Sequence, residues 1–238
     1  MEQREFLQKA FEQAKITLTA EQNDAFLRYA DILCEWNRRF NLTAITSFEE
    51  IVQKHFVDCA APLFVGMIPL SGKLIDVGSG AGFPGIPLKI LCPDLRIVLL
   101  DSLQKRVNFL NYAADELKLD GVRAVHGRAE DLARNDDFRE QFDVATARAV
   151  APLNVLSEFC VPFIRPGGCF LAYKGEAAAE ELPLAKRAFS LLGLGRAERV
   201  SFVLPGTEWN RCLIWAKKTK PTPAFYPRKA GTVSKKPL

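Results

Sequence analysis

The sequence predicts an α/β fold: a mostly parallel seven-stranded sheet covered by helices, with a helical extension in front. Three observations predict it. From residue 72 onward, short apolar runs alternate with helical stretches, the pattern of a parallel sheet with helices on both faces. The first of these runs ends in a glycine-rich loop, placed where open sheets bind ligands. Before residue 72 there is no strand-like run, and apolar residues recur at helical spacing.

The elements follow in order. Thr19-Ala-Glu-Gln22 has the form of a capping box. Phe26, Ala30, Leu33, Trp36 and Phe40 then recur every three or four residues, which gives one apolar helix face and puts Trp36 in the core. Ser47-Phe-Glu-Glu50 repeats the capping signal before a helix through Val57. Lys73-Leu-Ile-Asp-Val77 is the first strand, and a helix over 84–91 follows. Strands over 96–100, 122–125, 142–146 and 168–173 come next, with helices over 103–117, 152–164 and 177–191 among them. Strands over 197–204 and 211–216 close the sheet. Only a short loop joins these last two, so they pair antiparallel. The expected organisation is a helical region (1–71), a ligand-binding domain (72–216) and a Pro-rich basic tail (217–238) without imposed secondary structure.

Composition narrows the class. The chain has 238 residues, 48% hydrophobic and 25% charged, enough to bury a core without staples. Its six cysteines include no CxxC pair and it has two histidines, His55 and His126. That argues against a structural zinc site or other metal centre, and a disulfide framework belongs to small secreted chains. The N-terminus has no apolar signal core. The longest apolar run, 59–70, is too short to span a bilayer and contains Pro62 and Pro69. A reduced, cytoplasmic, monomeric protein with no membrane partner is expected. The net charge of +4 is unevenly spread: −3 over 1–70, zero over 71–216 and +7 over 217–238. A one-signed block attracts polyanions such as RNA, DNA or an acidic membrane surface; the plainer reading is a solvated end.

Asp76-Val-Gly78-Ser-Gly80-Ala-Gly82-Phe-Pro-Gly85 carries most of the functional information. Gly80-Ala-Gly82-Phe-Pro-Gly85 matches the dinucleotide pattern GxGxxG, and Asp101 follows at ribose-binding distance. Counted from the strand end, however, Phe83 takes the third glycine's place, and Pro84 removes an amide that a pyrophosphate would use. Asp76 would add a carboxylate near two phosphates. S-adenosylmethionine has no phosphate and carries positive charge, so acids at the strand ends suit it, and Asp101 can accept both hydroxyls of a ribose. The loop therefore favours the methyl donor over a nicotinamide dinucleotide. A tight turn with no ligand is the third reading.

The chain resembles the bacterial ribosomal small-subunit methyltransferase G family, also called glucose-inhibited division protein B, over nearly its whole length. The resemblance lies in Glu35-Trp-Asn-Arg-Arg-Phe-Asn-Leu-Thr43, Lys54-His-Phe-Val-Asp58, residues 74–87 with their Gly-Phe-Pro-Gly-Ile-Pro end, and residues 100–110. Phe142-Asp-Val-Ala-Thr-Ala-Arg-Ala149, Lys174-Gly175 and Tyr226-Pro-Arg-Lys-Ala-Gly231 continue it. It departs at Lys54, Cys59 and Val233, where the family often has Arg, Ser and Pro.

The resemblance implies a Rossmann-like class I methyltransferase acting on N7 of one guanine in the decoding-region hairpin of 16S ribosomal RNA, free or in the small subunit. It implies that Gly78 and Phe83 line the cofactor, Asp101 holds its ribose, Ala129 and Glu130 border the adenine, and Arg148 sits at the reactive end. Guanine N7 carries no proton, so no catalytic acid or base is expected. Lys174 and Arg228 are the expected RNA contacts, with Phe225 and Tyr226 able to stack on bases. His55 reads first as a satisfied, partly buried histidine, and His126 as a packing residue. The competing functions are an NAD(P)-dependent oxidoreductase and a non-enzymatic RNA-binding protein with a vestigial cofactor site.

Overall fold

Thr19 starts the long helix that the capping signal predicts. In the computed structural model, which describes residues 2–67, 71–176, 178–229 and 231–238, α1 spans Glu2–Gln13 and α2 spans Ala20–Phe40. Thr19 Oγ1 accepts from the Gln22 amide, and the Gln22 side chain accepts from the Thr19 amide. Asn41, in the left-handed region at φ 47°, ends the helix. Ser47 caps α3 (Phe48–Ile51), which runs on as a π-helix over Val52–Val57. The expected single helix is thus widened in its second half, where His55 sits with Asp58 just beyond. α4 (Ala61–Phe64) follows. Trp36 packs on Phe40, Phe109 and Tyr112, on the core side as expected.

The alternating region folds as β1 (Gly72–Val77), α5 (Gly85–Leu91), β2 (Leu95–Asp101), α6 (Gln104–Glu116), β3 (Val122–His126), α7 (Ala129–Leu132) and β4 (Phe142–Arg148). It continues with α8 (Leu153–Cys160), a 3₁₀ turn over Val161–Phe163, β5 (Ile164–Lys174), α9 (Ala178–Leu192), β6 (Leu194–Val203) and β7 (Asn210–Lys218). The seven strands lie in the order β3-β2-β1-β4-β5-β7-β6. All pairs are parallel except those of β7, which slots antiparallel between β5 and β6. β5 starts earlier than expected because Ile164 already pairs with Phe142, ahead of an irregularity in the register.

Strand order reverses between β1 and β4, which opens a crevice at their carboxyl ends. One face of the sheet, with Leu74, Leu99, Val144 and Leu171, shares a core with the N-terminal helices. The other, with Ile75, Leu100, Ala145 and Phe170, packs under residues of α7, α8 and α9. No described helix is long and apolar enough to cross a membrane.

The tail is not a free solvated end. Lys218, fully buried at the end of β7, donates to Glu140 Oε1 (2.7 Å) and to the Val161 and Ile164 carbonyls. Arg139 donates to the carbonyls of Thr222, Pro223 and Tyr226, and Arg134 to those of Phe225 and Pro227. Arg228 clasps the fully buried Glu158 through both its backbone amide and its guanidinium. A short α10 (Thr232–Lys235) then buries Val233 completely.

Lys218 makes this docking testable. Removing Lys218 leaves the Val161 and Ile164 carbonyls without a donor in the core and Glu140, a quarter exposed, without its cation, at about 3–5 kcal/mol in sum. Lys218→Ala should lower folding stability by that amount in urea titration, with Lys218→Met intermediate because its stem still packs. A loss below about 1 kcal/mol would show that Glu140 finds water instead.

Candidate active site

Two carboxylates hold the glycine loop between β1 and α5. Asp76 Oδ2 accepts from the Gly85 amide at 3.0 Å. Asp101 Oδ2 accepts from the Gly80 amide at 2.9 Å, and its Oδ1 from the Leu103 amide at 2.9 Å. The Gly78 and Ser79 amides donate to the Leu100 carbonyl. Gly82 has φ +88°, and a Cβ there would lie 2.5 Å from Ile86 and 2.7 Å from the Tyr29 hydroxyl; only glycine satisfies both demands.

Asp76 is fully buried, and its Oδ1 has no partner. Thr146 Oγ1, its register neighbour on β4, is likewise buried and unpartnered. Asp76 therefore serves the loop from inside and is not among the residues lining the cavities at the strand ends. Burial raises its pKa from 3.8 to about 7, against the lowering effect of the Gly85 amide.

A cavity of about 230 Å³ opens beyond β1 and β2. Gly78, Asp101, Ala129 and Glu130 line it together. Val77, Leu100 and Phe159 add apolar surface, Arg128 is the cation on the wall, and Val150 closes the side toward β4. Three donors reach the Asp101 carboxylate, one of them Arg106 at 3.4 Å, which leaves acceptor capacity for a diol. Apolar walls for a flat base, two acids and one cation fit a phosphate-free, positively charged nucleoside better than a pyrophosphate.

A second cavity, about 370 Å³, lies across the Ala149–Val150 segment. Its lining includes His55, Asp58, Arg148, Tyr173, Lys174 and Arg211. Asp58 bridges two arginines: Oδ2 accepts from Arg148 Nη1 and Oδ1 from Arg211 Nε, both at 2.9 Å. Arg148 also donates to the Lys54 carbonyl (3.0 Å) and to His55 Nδ1 (2.9 Å), and lies 4.9 Å from the centre of the Phe83 ring. His55 stacks on Phe83 with centroids 4.3 Å apart. Burial first, then the Arg148 charge, pushes its pKa down to about 3. The ring is therefore neutral, with Nδ1 accepting from Arg148 and Nε2–H donating to Thr43 Oγ1 at 3.1 Å.

The expected site residues thus divide into two groups. Gly78, Asp101, Ala129 and Glu130 meet at the first cavity. Arg148 lines the second, with Phe83 packed against it, and neither lines the first. Lys174 lines the second cavity, yet its Nζ is engaged by Glu181 and the Ala151 carbonyl, each at 2.7 Å. Glu181 also accepts from the Leu153 amide, so Lys174 fixes the loop after β4. Arg228 lies away from both cavities, held by Glu158.

The satisfied reading of His55 matches its surroundings. Asp58, Arg211 and Tyr173 were missed. His55 and Asp58, three apart on one helix face, were a usable signal; Arg211 lies 153 residues from Asp58 and had none. Among the described residues no group of His, Cys, Asp and Glu is arranged to hold a metal ion.

This strand order, with a glycine loop after β1 and an acid closing β2, defines a class I S-adenosylmethionine-dependent methyltransferase. The fold is shared with cofactor-bound Rv0187 from MTB (TM-score 0.57, 18% identity, 89% of this chain and 96% of that one). It is shared also with the YcgJ protein of Bacillus subtilis (TM-score 0.53, 14% identity, 70% and 100%). The family model for GidB, rRNA small subunit methyltransferase G, matches residues 22–207. Proteins named ribosomal RNA small subunit methyltransferase G from Alkaliphilus oremlandii (45% identical over 238 residues) and Streptococcus sanguinis (48% over 239) align over 100% of both chains. The chain belongs to this methyltransferase G family.

Asp76 gives a pH test. Its pKa is higher in the folded protein, so between about pH 4 and pH 7 folding binds a proton, and stability falls as pH rises through that window. Asp76→Asn removes the titration. The variant should gain on the wild type by up to about 4 kcal/mol from pH 4 to 7 and no further above it. Urea midpoints of the ligand-free proteins, measured from pH 4 to 8, check this; parallel curves would refute it.

Proposed function

We propose that the chain transfers a methyl group from S-adenosylmethionine to N7 of one guanine in the decoding-region hairpin of 16S ribosomal RNA. The observation that carries this reading is the pair of cavities on either side of Ala149–Val150: one suited to a phosphate-free cationic nucleoside, the other lined by charged, aromatic and aliphatic side chains and roomy enough to admit a base. S-adenosylmethionine supplies an electrophilic methyl carbon on a cationic sulfur.

In this reading Gly78, Asp101, Ala129 and Glu130 hold the donor, with the Asp101 carboxylate on its ribose hydroxyls. Arg148, on the wall of the second cavity, and Phe83, packed on it, orient the reacting ends. Arg148 is kept from turning away by Asp58, the Lys54 carbonyl and His55. Guanine N7 is an unprotonated acceptor on the base edge, so the chain needs no general base and acts by alignment. His55, neutral and bonded at both ring nitrogens, is a positioning residue in this scheme.

Incubating the protein with labelled donor and 16S RNA from a strain lacking the methyltransferase should label one guanine, at N7, when the product is mapped. Label confined to protein, or on another base position, would overturn the reading. Calorimetry should show binding of S-adenosylmethionine and not NAD, and Asp101→Ala should weaken donor binding at least about tenfold, the scale of a lost charged hydrogen bond. Single-turnover methyl transfer should be level from about pH 8 to 9, since neither N7 nor His55 titrates there and the loop-holding Asp76, at about 7, is already ionised; a bell-shaped profile would point to an acid–base pair instead.

A further inference from the structure

The donor cavity has a wall that the glycine loop and strand ends do not supply. Gly231 and Ser234, from the C-terminal segment, line it beside Gly78, Asp101 and Glu130. The family model ends at residue 207, well before them. We propose that residues 231–236 form a strap that closes over the bound methyl donor, and that RNA phosphates on its outer face hold it shut. This rests on the cavity being the donor site.

The segment is built as a fixed base, a hinge and a light cover. The base is Arg228, held by Glu158 of α8 through its amide (2.7 Å) and its guanidinium (2.6–3.1 Å). The residue after Glu158, Phe159, itself lines the cavity, so the strap hangs beside the opening. The hinge is Gly231, at φ +79° with open space where a Cβ would be. The cover is α10, seated by the fully buried Val233, while Thr232, Ser234, Lys235 and Lys236 are exposed. Its described backbone bonds, Thr232 to Lys229 and Lys236 to Thr232, close on the segment itself. A cover this short, with Val233 its one fully buried side chain and Leu238 beyond it only partly buried against the core, opens at lower cost than the base.

Charge identifies the occupant of the outer face. Lys229, Lys235 and Lys236 are exposed, and none is in an ion pair among the described residues. Exposed Phe225 stands on the same segment, on the far side of the Arg228 anchor. Three free ammonium groups beside the donor cavity match a polyphosphate backbone. Its binding would favour the closed strap, and by linkage the closed strap would favour RNA.

The test uses S-adenosylhomocysteine as probe. Its affinity and dissociation rate are measured for the full chain, for a chain ending at Lys229, and for Val233→Asp. Both variants should release the probe about tenfold faster while keeping the wild-type melting temperature within a few degrees. Adding 16S RNA should slow release from the full chain at least about threefold, and not from a Lys229/Lys235/Lys236→Glu variant, in line with the loss of phosphate contacts.

Unchanged release from both the truncated chain and Val233→Asp would overturn the strap. Equal slowing by RNA in the triple variant would overturn its RNA-facing role. Gly78→Val separates the underlying reading, because a side chain there meets Val150 on the cavity wall, with the first Cβ 2.8 Å from Val150 Cγ2. Probe binding that survives Gly78→Val would mean the cavity is not the donor site. Binding lost in Gly78→Val, with release from both tail variants unchanged, would overturn the strap alone.

Discussion

Asp76 and Asp101 pin the glycine loop, and the shape of the proposed donor cavity depends on that. Asp76, next to last in β1, and Asp101, last in β2, each reach a loop amide that glycine leaves accessible: Gly85 for Asp76 and Gly80 for Asp101. Without these acceptors the loop's amides would point into the protein unpaired, at about 1–3 kcal/mol each. Asp76 carries out its part at a cost, since it is fully buried with one oxygen unpartnered. Asp101 keeps spare acceptor capacity and faces the cavity. The two acids look alike in sequence and both are buried; what separates them is that Asp101 lines the cavity and Asp76 does not.

The second constraint is the charge cluster where the N-terminal helices meet the sheet. Asp58 stands between Arg148 of β4 and Arg211 of β7. Arg148 therefore reports on three parts of the chain at once: the π-helix through Lys54 and His55, the glycine loop through Phe83, and its own strand. The widened helix supplies both the Lys54 carbonyl and the His55 ring to one guanidinium. The N-terminal helices are thus part of the site's construction, which explains why they share a core with the sheet.

Sequence periodicity showed the strands, the loop and its acids because these signals are local. Alternating apolar runs bounded β1 to β7 within a few residues, and the spacing from Gly78 to Asp101 placed both at one cavity. What stayed hidden depends on distant partners. Nothing near Glu158 or Glu140 announces that each will hold a tail residue 70 or more positions away. The π-helix was hidden because its residues also read as an ordinary helix. Asp76 and Phe83 sat in a motif that pointed toward the ligand, yet the pleat turns Asp76 inward, and Phe83 packs under Arg148 and His55.

The tail's +7 charge changes meaning once each cation is placed. Lys218 and Arg228 pair with the partly exposed Glu140 and the fully buried Glu158, and their charge is not offered to a partner. Lys217, Lys220, Lys229, Lys235 and Lys236 remain exposed. The arginines that hold the tail, Arg134 and Arg139, come from the body and act on carbonyl groups. Attraction between basic tail and acidic body is therefore local, two ion pairs at fixed points. A segment docked this way places its free cations at a defined height above the strand ends, whereas a disordered tail of equal charge would spread them over a large volume. Lys229, Lys235 and Lys236 stand on the segment whose Gly231 and Ser234 wall the proposed donor cavity, so charge that composition alone assigns to RNA attraction is carried by the strap proposed to close over the donor.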